Sequence, residues 1–141
     1  MLLALLDRLR DRRRRRIWAP DQATGRRGED LAHRYLRKQG YIVVARNYRL
    51  AAGDAEADII AWDGDALVIV EVKTRESDTY GPPDRAIGED KRRALQRVAR
   101  EYARKSNVDE ATVRGDVVSV VLGGGVRIEL FRDAVRLGTA R

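Results

Sequence analysis

The sequence predicts a single α/β domain with a mixed β-sheet flanked by helices. The chain has 141 residues, enough for one domain with a hydrophobic core of its own. Two stretches place apolar residues at helical spacing, and five shorter stretches are apolar runs or alternations bounded by turn residues. Because the helical stretches are interspersed among the strands, we expect the helices to cover the sheet.

The first half of the domain predicts one helix followed by three strands. An apolar stripe indicates a helix from about residue 24 to Gly40, and the glycine suits a helix end. The strands are predicted over 41–48, 57–62 and 66–73. The Asp63-Gly64-Asp65 turn between the last two strands is typical of a hairpin. Leu67-Val68-Ile69-Val70 is apolar on both faces, which predicts a central strand covered on both sides.

The second half predicts a long helix and two further strands. The helix spans about 89–105 and has one apolar side. A strand over 116–122 is turned by Gly123-Gly124-Gly125 into the last strand, 126–131. We therefore place the folded domain at residues 24–141.

Residues 1–23 form a basic N-terminal arm, expected to be helical or disordered. Seven Arg and two Asp in residues 1–16 give a net charge of +5, which leaves only +2 of the chain's +7 for the remainder. The arm is too short and too charged to span a membrane, and its charges follow its apolar residues, unlike those of a secretory signal. We interpret it as a basic tail, with a nucleic-acid arm or a membrane-surface helix as alternatives.

Composition limits the chemistry available to the domain. The chain has no cysteine and a single histidine, His33, which excludes thiol nucleophiles and zinc or iron–sulfur sites built on these residues. The lack of cysteine also fits a reducing cytoplasm, where we expect the protein to act without a membrane span. Carboxylates, lysine, arginine and hydroxyls remain for catalysis.

Two acids and a lysine lie on the strands of the predicted hairpin. Asp58 is near the start of the first strand, and Glu71 and Lys73 are near the end of the second. Antiparallel pairing brings these ends together, and alternation places Glu71 and Lys73 on one face. We therefore expect one small site that contains two carboxylates and an ammonium.

Such a site suits a divalent metal. Two carboxylates and the carbonyl of Val72 are hard oxygen ligands of the kind Mg²⁺ prefers, and Mn²⁺ is an alternative. A bound metal acidifies water and neutralises a phosphate, while Lys73 assists. The competing interpretation is a solvated acid–lysine pair on a strand surface. Burial at the end of an apolar strand favours the metal, because unpaired buried charges are costly.

Further segments share a pattern with known proteins. They are Gly25-Arg26-Arg27-Gly28-Glu29-Asp30-Leu31-Ala32, Gly40-Tyr41, Arg46-Asn47-Tyr48-Arg49, Glu56-Ala57-Asp58-Ile59-Ile60-Ala61, Val70-Glu71-Val72-Lys73-Thr74-Arg75, Lys91-Arg92-Arg93 and Asp116-Val117-Val118. Together, over about residues 24–131, they resemble the YraN-like family within the PD-(D/E)xK nuclease superfamily. The resemblance implies a restriction-endonuclease-like fold.

The resemblance also implies roles for individual residues. It marks Asp58 and Glu71 as metal ligands, Lys73 as the catalytic lysine, and Glu29 as a further acid near the metal. Glu29 could equally be an ordinary acid favoured by the helix dipole. The family usually has Gly-Glu-Ile-Asp where this chain has Ala55-Glu56-Ala57-Asp58, so the roles of Glu56 and of Asp54 stay open.

Several cations are candidates for contact with a phosphate backbone, chiefly Arg26, Arg75 and Lys91. We therefore expect a Mg²⁺-dependent endonuclease that acts on DNA, with branched or structured DNA among the candidate substrates. One alternative is a homodimer that resembles a Holliday-junction resolvase. Another is a non-catalytic nucleic-acid-binding protein that retains the fold.

Overall fold

The computed structural model describes residues 22–77 and 85–138. The basic arm predicted over residues 1–23 lies outside these ranges, except for its last two residues, which begin the first helix. The elements in chain order are α1 (Gln22–Lys38), β1 (Ile42–Arg49), β2 (Glu56–Asp63), β3 (Ala66–Arg75), α2 (Glu89–Lys105), a short 3₁₀ turn (Glu110–Thr112), β4 (Arg114–Val121) and β5 (Arg127–Val135).

The five strands form one mixed sheet in the order β1-β2-β3-β4-β5. The β3–β4 pair is parallel and the other three pairs are antiparallel. A parallel pair needs a long crossover, and here α2 lies within that connection. The predicted fold class is confirmed: this is an α/β domain with a mixed sheet and two helices, consistent with a restriction-endonuclease-like fold.

The helices pack on opposite faces of the sheet and create two apolar layers. On one face, Ala32 and Leu36 of α1 pack against valines of β3 and β4. On the other, Leu95, Val98 and Ala99 of α2 pack against a second set of strand residues. Residues 67–70 of β3 are all buried, so the predicted central strand covered on both sides is confirmed.

Two elements end at positions other than those predicted: α1 ends two residues before Gly40, and β5 ends four residues after Phe131. Helix α1 ends at Lys38, and Gly40 follows it with φ of +93°, a conformation that favours glycine. Strand β5 continues beyond Phe131 to Val135 because the β4–β5 register shifts at a bulge, where Asp133 has φ of +53°. In the described part of the chain, neither helix combines the length and apolar character that a membrane span requires.

Candidate active site

The site lies where β2 and β3 separate at the end of their hairpin. Their pairing extends only to Ile59 opposite Val70, whereas β3 stays paired with β4 as far as Arg75. Beyond that last pair, Oδ2 of Asp58 accepts a hydrogen bond of 2.8 Å from the backbone N–H of Val72. The carboxylate of Asp58 therefore replaces the missing strand pairing and is fixed beside β3.

Glu71 lies beside Asp58 and is buried, with 9% of its surface exposed. Burial, the charge of Asp58 and a hydrogen bond with Asp58 raise the pKa of Glu71 well above its usual value, while Lys91 opposes this change. Lys91 Nζ lies 3.2 Å from Glu71 Oε2 as an ion pair, and this oxygen accepts no other hydrogen bond from the described residues. The two carboxylates that the sequence placed together are thus in one small, poorly solvated site.

Lys73 shares a strand face with Glu71, as alternation predicted. Its Nζ donates a 2.6 Å hydrogen bond to the backbone carbonyl of Ala86, in the segment before α2. This bond holds the Lys73 ammonium beside the segment that precedes α2.

Glu29 of α1 also approaches the site. The pKa of Glu29 is raised by burial and then by the charge of Asp58, which shows that the two acids interact. A hydrogen bond from Asn47 and the positive charge of Arg46 oppose this rise. Arg46 Nη2 is 3.7 Å from Glu29 Oε2.

Packing of α1 against β3 sets the position of Glu29. Gly28 lies directly against Thr74, and a Cβ atom at this position would overlap the Thr74 side chain. The helix can approach β3 this closely only because residue 28 has no side chain. Gly28 therefore brings the first turns of α1 to the sheet beside the two carboxylates.

Asn47 was not among the predicted site residues. It has φ of +49° within β1, a left-handed conformation that asparagine tolerates better than most residues, and its side chain bonds Glu29. Asn47 lies in the Arg46-Asn47-Tyr48-Arg49 segment that carries the family resemblance, but its residue type alone does not indicate a contact with Glu29.

The predicted nucleic-acid contacts occupy three different environments. Arg26 is exposed on α1. Arg75 is buried, with 2% of its surface exposed, which favours a packing role over contact with a phosphate. Lys91 Nζ lies 3.2 Å from Glu71 Oε2, as an ion pair within the site.

The two acids whose roles were open turn away from the carboxylate pair. The side chain of Glu56 forms an exposed ion pair of 3.0 Å with Arg49, and only its backbone carbonyl approaches the site, where it accepts from Lys91. Asp54 is bonded at 2.8 and 3.0 Å by Arg97 of α2. These pairings favour structural roles for both side chains.

A cavity of about 300 Å³ lies next to the segment that holds Lys73. Its lining includes Ala86, the Lys73 partner, and three arginines, Arg85, Arg92 and Arg136. Arg92 also forms an ion pair with Glu89 and donates to the carbonyl of Arg136, so the cavity edge is held in place. The arginines come from distant parts of the sequence, which is why no motif marked this cavity.

A second polar cluster lies across the sheet from the carboxylate pair. Asp116 of β4 is fully buried and accepts hydrogen bonds from Tyr41 Oη, from two nitrogens of Arg114 and from the backbone N–H of Asp133, at 2.7 to 3.0 Å. Arg114 also donates to Asp63 at 2.7 Å. We call these five residues the Asp116 cluster.

Comparison with known proteins places the chain among similar bacterial sequences. The profile of the uncharacterised protein family UPF0102 matches residues 28–120. A UPF0102 protein of Solibacter usitatus is 51% identical over 133 residues, 94% of this chain and 99% of the relative. A UPF0102 protein of Syntrophus aciditrophicus is 44% identical, covering 84% of this chain and 92% of the relative. The matched segment contains the carboxylate pair, Lys73 and Lys91.

Proposed function

The chain belongs to the uncharacterised protein family UPF0102, and we propose that it is a metal-dependent endonuclease that hydrolyses phosphodiester bonds in DNA. The observation that carries the proposal is the placement of Asp58 and Glu71 side by side where β2 and β3 separate. Two adjacent carboxylates, of which Glu71 is buried and has a raised pKa, form an arrangement that a bound cation stabilises.

The donor set fits Mg²⁺ or Mn²⁺. In residues 22–77 and 85–138, no three acidic or histidine side chains form a metal-binding group, so Glu29 does not complete a three-residue ligand set with Asp58 and Glu71. Magnesium is commonly held by one or two carboxylates together with water and substrate phosphate. Glu71 Oε2 is buried and has an ion pair of 3.2 Å with the Lys91 ammonium, so this oxygen already interacts with a cation and would be available to a metal in its place. Asp58 and Glu71 would hold the metal.

The chain's own residues have distinct tasks in hydrolysis. The Val72 N–H orients Asp58, and the Ala86 carbonyl holds the Lys73 ammonium on the same side of the sheet as Glu71. When bound, the metal acidifies a water molecule and neutralises charge on the phosphate. The attacking water releases one proton to solvent and its oxygen forms a bond to phosphorus. One ester P–O bond breaks, and the leaving oxygen takes up one proton from solvent. Lys73 stabilises the charge that develops on the phosphate.

A nucleic-acid substrate is supported by the arginines beside the site. The cavity lined by Arg85, Arg92 and Arg136 is connected to Lys73 through Ala86. Guanidinium groups bind phosphate oxygens through paired hydrogen bonds, so this cavity suits a backbone phosphate near the cleaved bond. The Arg92 guanidinium already donates to Glu89 and to the Arg136 carbonyl. Arg85 and Arg136 are therefore the arginines proposed to contact the phosphate.

Cleavage of supercoiled plasmid, linear duplex and four-way junctions with Mg²⁺ or Mn²⁺ tests the proposal. We expect Glu71→Gln and Lys73→Met to reduce the cleavage rate by about 100-fold or more, as loss of a group that stabilises the transition state does. Asp54→Asn is the matched control, because it neutralises an exposed acid outside the site.

The outcomes also separate the alternatives. Equal cleavage by the parent chain and both site variants would contradict the proposal. Binding of DNA without cleavage by any form would favour a non-catalytic binding protein. Strong preference for the four-way junction, cut by a symmetric dimer, would favour a resolvase-like activity.

A further inference from the structure

Lys91 lies inside the carboxylate site although it comes from a different element. It is in the first turn of α2, and its Nζ is 3.2 Å from Glu71 Oε2 and 3.3 Å from the backbone carbonyl of Glu56. Its side chain is 35% exposed. The ammonium therefore reaches into the site while its stem remains partly in solvent.

This position makes Lys91 the cation that neutralises Glu71 when no metal is bound. The charge of Asp58 and burial both disfavour ionised Glu71, and Lys91 is the group that acts in the opposite direction. A divalent metal held by Asp58 and Glu71 would supply the same neutralisation with a larger charge. It would also repel an ammonium only 3.2 Å from one of its ligand atoms.

We propose that Lys91 and the metal compete for Glu71, so that metal binding releases the Lys91 ammonium to contact the phosphate backbone of the nucleic acid. The inference rests on the proposed function and adds a coupling between its two ligands. Lys91 suits this task because a lysine ammonium is a compact charge on a flexible four-carbon stem. To turn outward, the ammonium exchanges its contacts with Glu71 and the Glu56 carbonyl for a phosphate, and its first-turn position and partial exposure place it near solvent.

Coupling of this kind acts in both directions. If metal binding releases a cation that binds DNA, DNA must strengthen metal binding by the same factor. Without DNA, Lys91 weakens metal binding because the metal has to displace it. Loss of the Lys91 ammonium should therefore strengthen metal binding in the absence of DNA and reduce the gain in DNA affinity that the metal produces.

Calorimetric titration of the full chain with Mn²⁺, without DNA, tests the competition directly. We expect Lys91→Met to bind Mn²⁺ about tenfold more tightly than the parent chain, within the usual range of coupling between two sites. Lys91→Arg keeps the charge and should stay close to the parent. Lys38→Met, which removes an exposed lysine at the end of α1, is the matched control and should leave affinity unchanged.

A second measurement tests the coupling with DNA. Anisotropy of a labelled duplex, with and without Ca²⁺, should show that the metal strengthens DNA binding by the parent chain, and that Lys91→Met loses most of this gain. Recovery of intact DNA establishes that only binding is measured. Thermal unfolding of each variant establishes that it is folded.

The results distinguish this inference from the proposed function. Equal or weaker Mn²⁺ binding by Lys91→Met, with clear binding by the parent chain, would overturn the competition and leave the nuclease proposal intact. No Mn²⁺ binding by either protein would overturn both. Tighter binding by Lys91→Met, with loss of the DNA coupling, would support the inference.

Discussion

Two buried acids on neighbouring strands have contrasting environments. Asp116 of β4 faces the α1 side of the sheet and accepts four hydrogen bonds, two of them from Arg114. Glu71 of β3 faces the α2 side, with an ion pair to Lys91 but no hydrogen bond from the described residues to its Oε2. Asp116 is therefore compensated within the fold, whereas Glu71 is only partly compensated.

The difference distinguishes a structural cluster from the proposed metal site. A buried charge with complete hydrogen bonding ties elements together, and here Asp116 joins the residue that follows α1 to β4 and β5. A buried carboxylate beside another carboxylate weakens the protein unless a cation is present. At the Glu71 end of the sheet, Lys91 supplies part of this neutralisation, and the proposed metal would supply the rest.

The largest expected effect compares Asp116→Asn with Glu71→Gln. Asp116→Asn breaks a buried ion pair and leaves Arg114 without its main partner, which should lower the free energy of unfolding by about 3–5 kcal/mol. Glu71→Gln removes a poorly compensated charge and should change it by less than about 1 kcal/mol. Urea unfolding measures both. Similar decreases in the free energy of unfolding of the two variants would contradict the difference between the environments of Asp116 and Glu71.

The next effect tests how packing positions the site end. Gly28→Ala places a methyl group against Thr74 and should cost about 1–3 kcal/mol, as overpacking does. It should also weaken Mn²⁺ binding, because α1 carries Glu29.

Gly25→Ala provides the control in the same helix. An added Cβ there has no described atom within 4 Å, and alanine favours helix, so this variant should be as stable as the parent or more so. Urea unfolding and Mn²⁺ titration of both variants check the prediction. Equal behaviour of the two alanines would show that the Gly28 contact does not position the site.

A smaller effect concerns Tyr41 in the Asp116 cluster. Burial and the hydrogen bond to Asp116 raise the pKa of Tyr41 to about 12, above its ordinary value near 10. In the folded state Tyr41 therefore retains its proton at a pH where the unfolded chain releases it. The contribution of Tyr41 to the free energy of unfolding is complete below about pH 10 and is lost as pH rises toward 12.

Tyr41→Phe tests this contribution. It should lower the free energy of unfolding by about 1 kcal/mol at neutral pH, from the lost hydrogen bond. Below about pH 10, the free energy of unfolding of the parent chain should exceed that of Tyr41→Phe, and this difference should disappear between about pH 10 and 12. Urea unfolding over that range is the measurement. A difference that does not vary with pH would contradict the assignment.

The smallest expected effect on stability concerns the exposed ion pair between Arg97 and Asp54, for comparison with the buried acids. Arg97 of α2 donates two hydrogen bonds to Asp54, which lies in the turn before β2. The Arg97→Ala substitution removes both bonds. Exposed pairs contribute little because solvent screens them, so the urea midpoint should stay unchanged within error. A clear shift would mean that the turn before β2 depends on this pair.

Local patterns in the sequence predicted much of the fold. The Asp63-Gly64-Asp65 turn and the apolar run 67–70 predicted the hairpin and the central strand, because turn type and burial on both faces leave direct marks in a sequence. The end of β5 was missed because Arg132 and Asp133 look like a loop. In the structure they lie at a bulge, where the Asp133 N–H bonds Asp116.

The sequence by itself determined that Asp58 and Glu71 meet, since antiparallel pairing and alternation fix which ends and faces come together. Tertiary structure decided that Lys91 enters the site, that Arg75 is buried and that three distant arginines line one cavity. These facts depend on how α2 and the chain ends pack against the sheet. The two strands of a hairpin are close in the sequence, so residue patterns predict their pairing. Packing brings together residues from separate elements, and no pattern of residue spacing indicates which of them will be in contact.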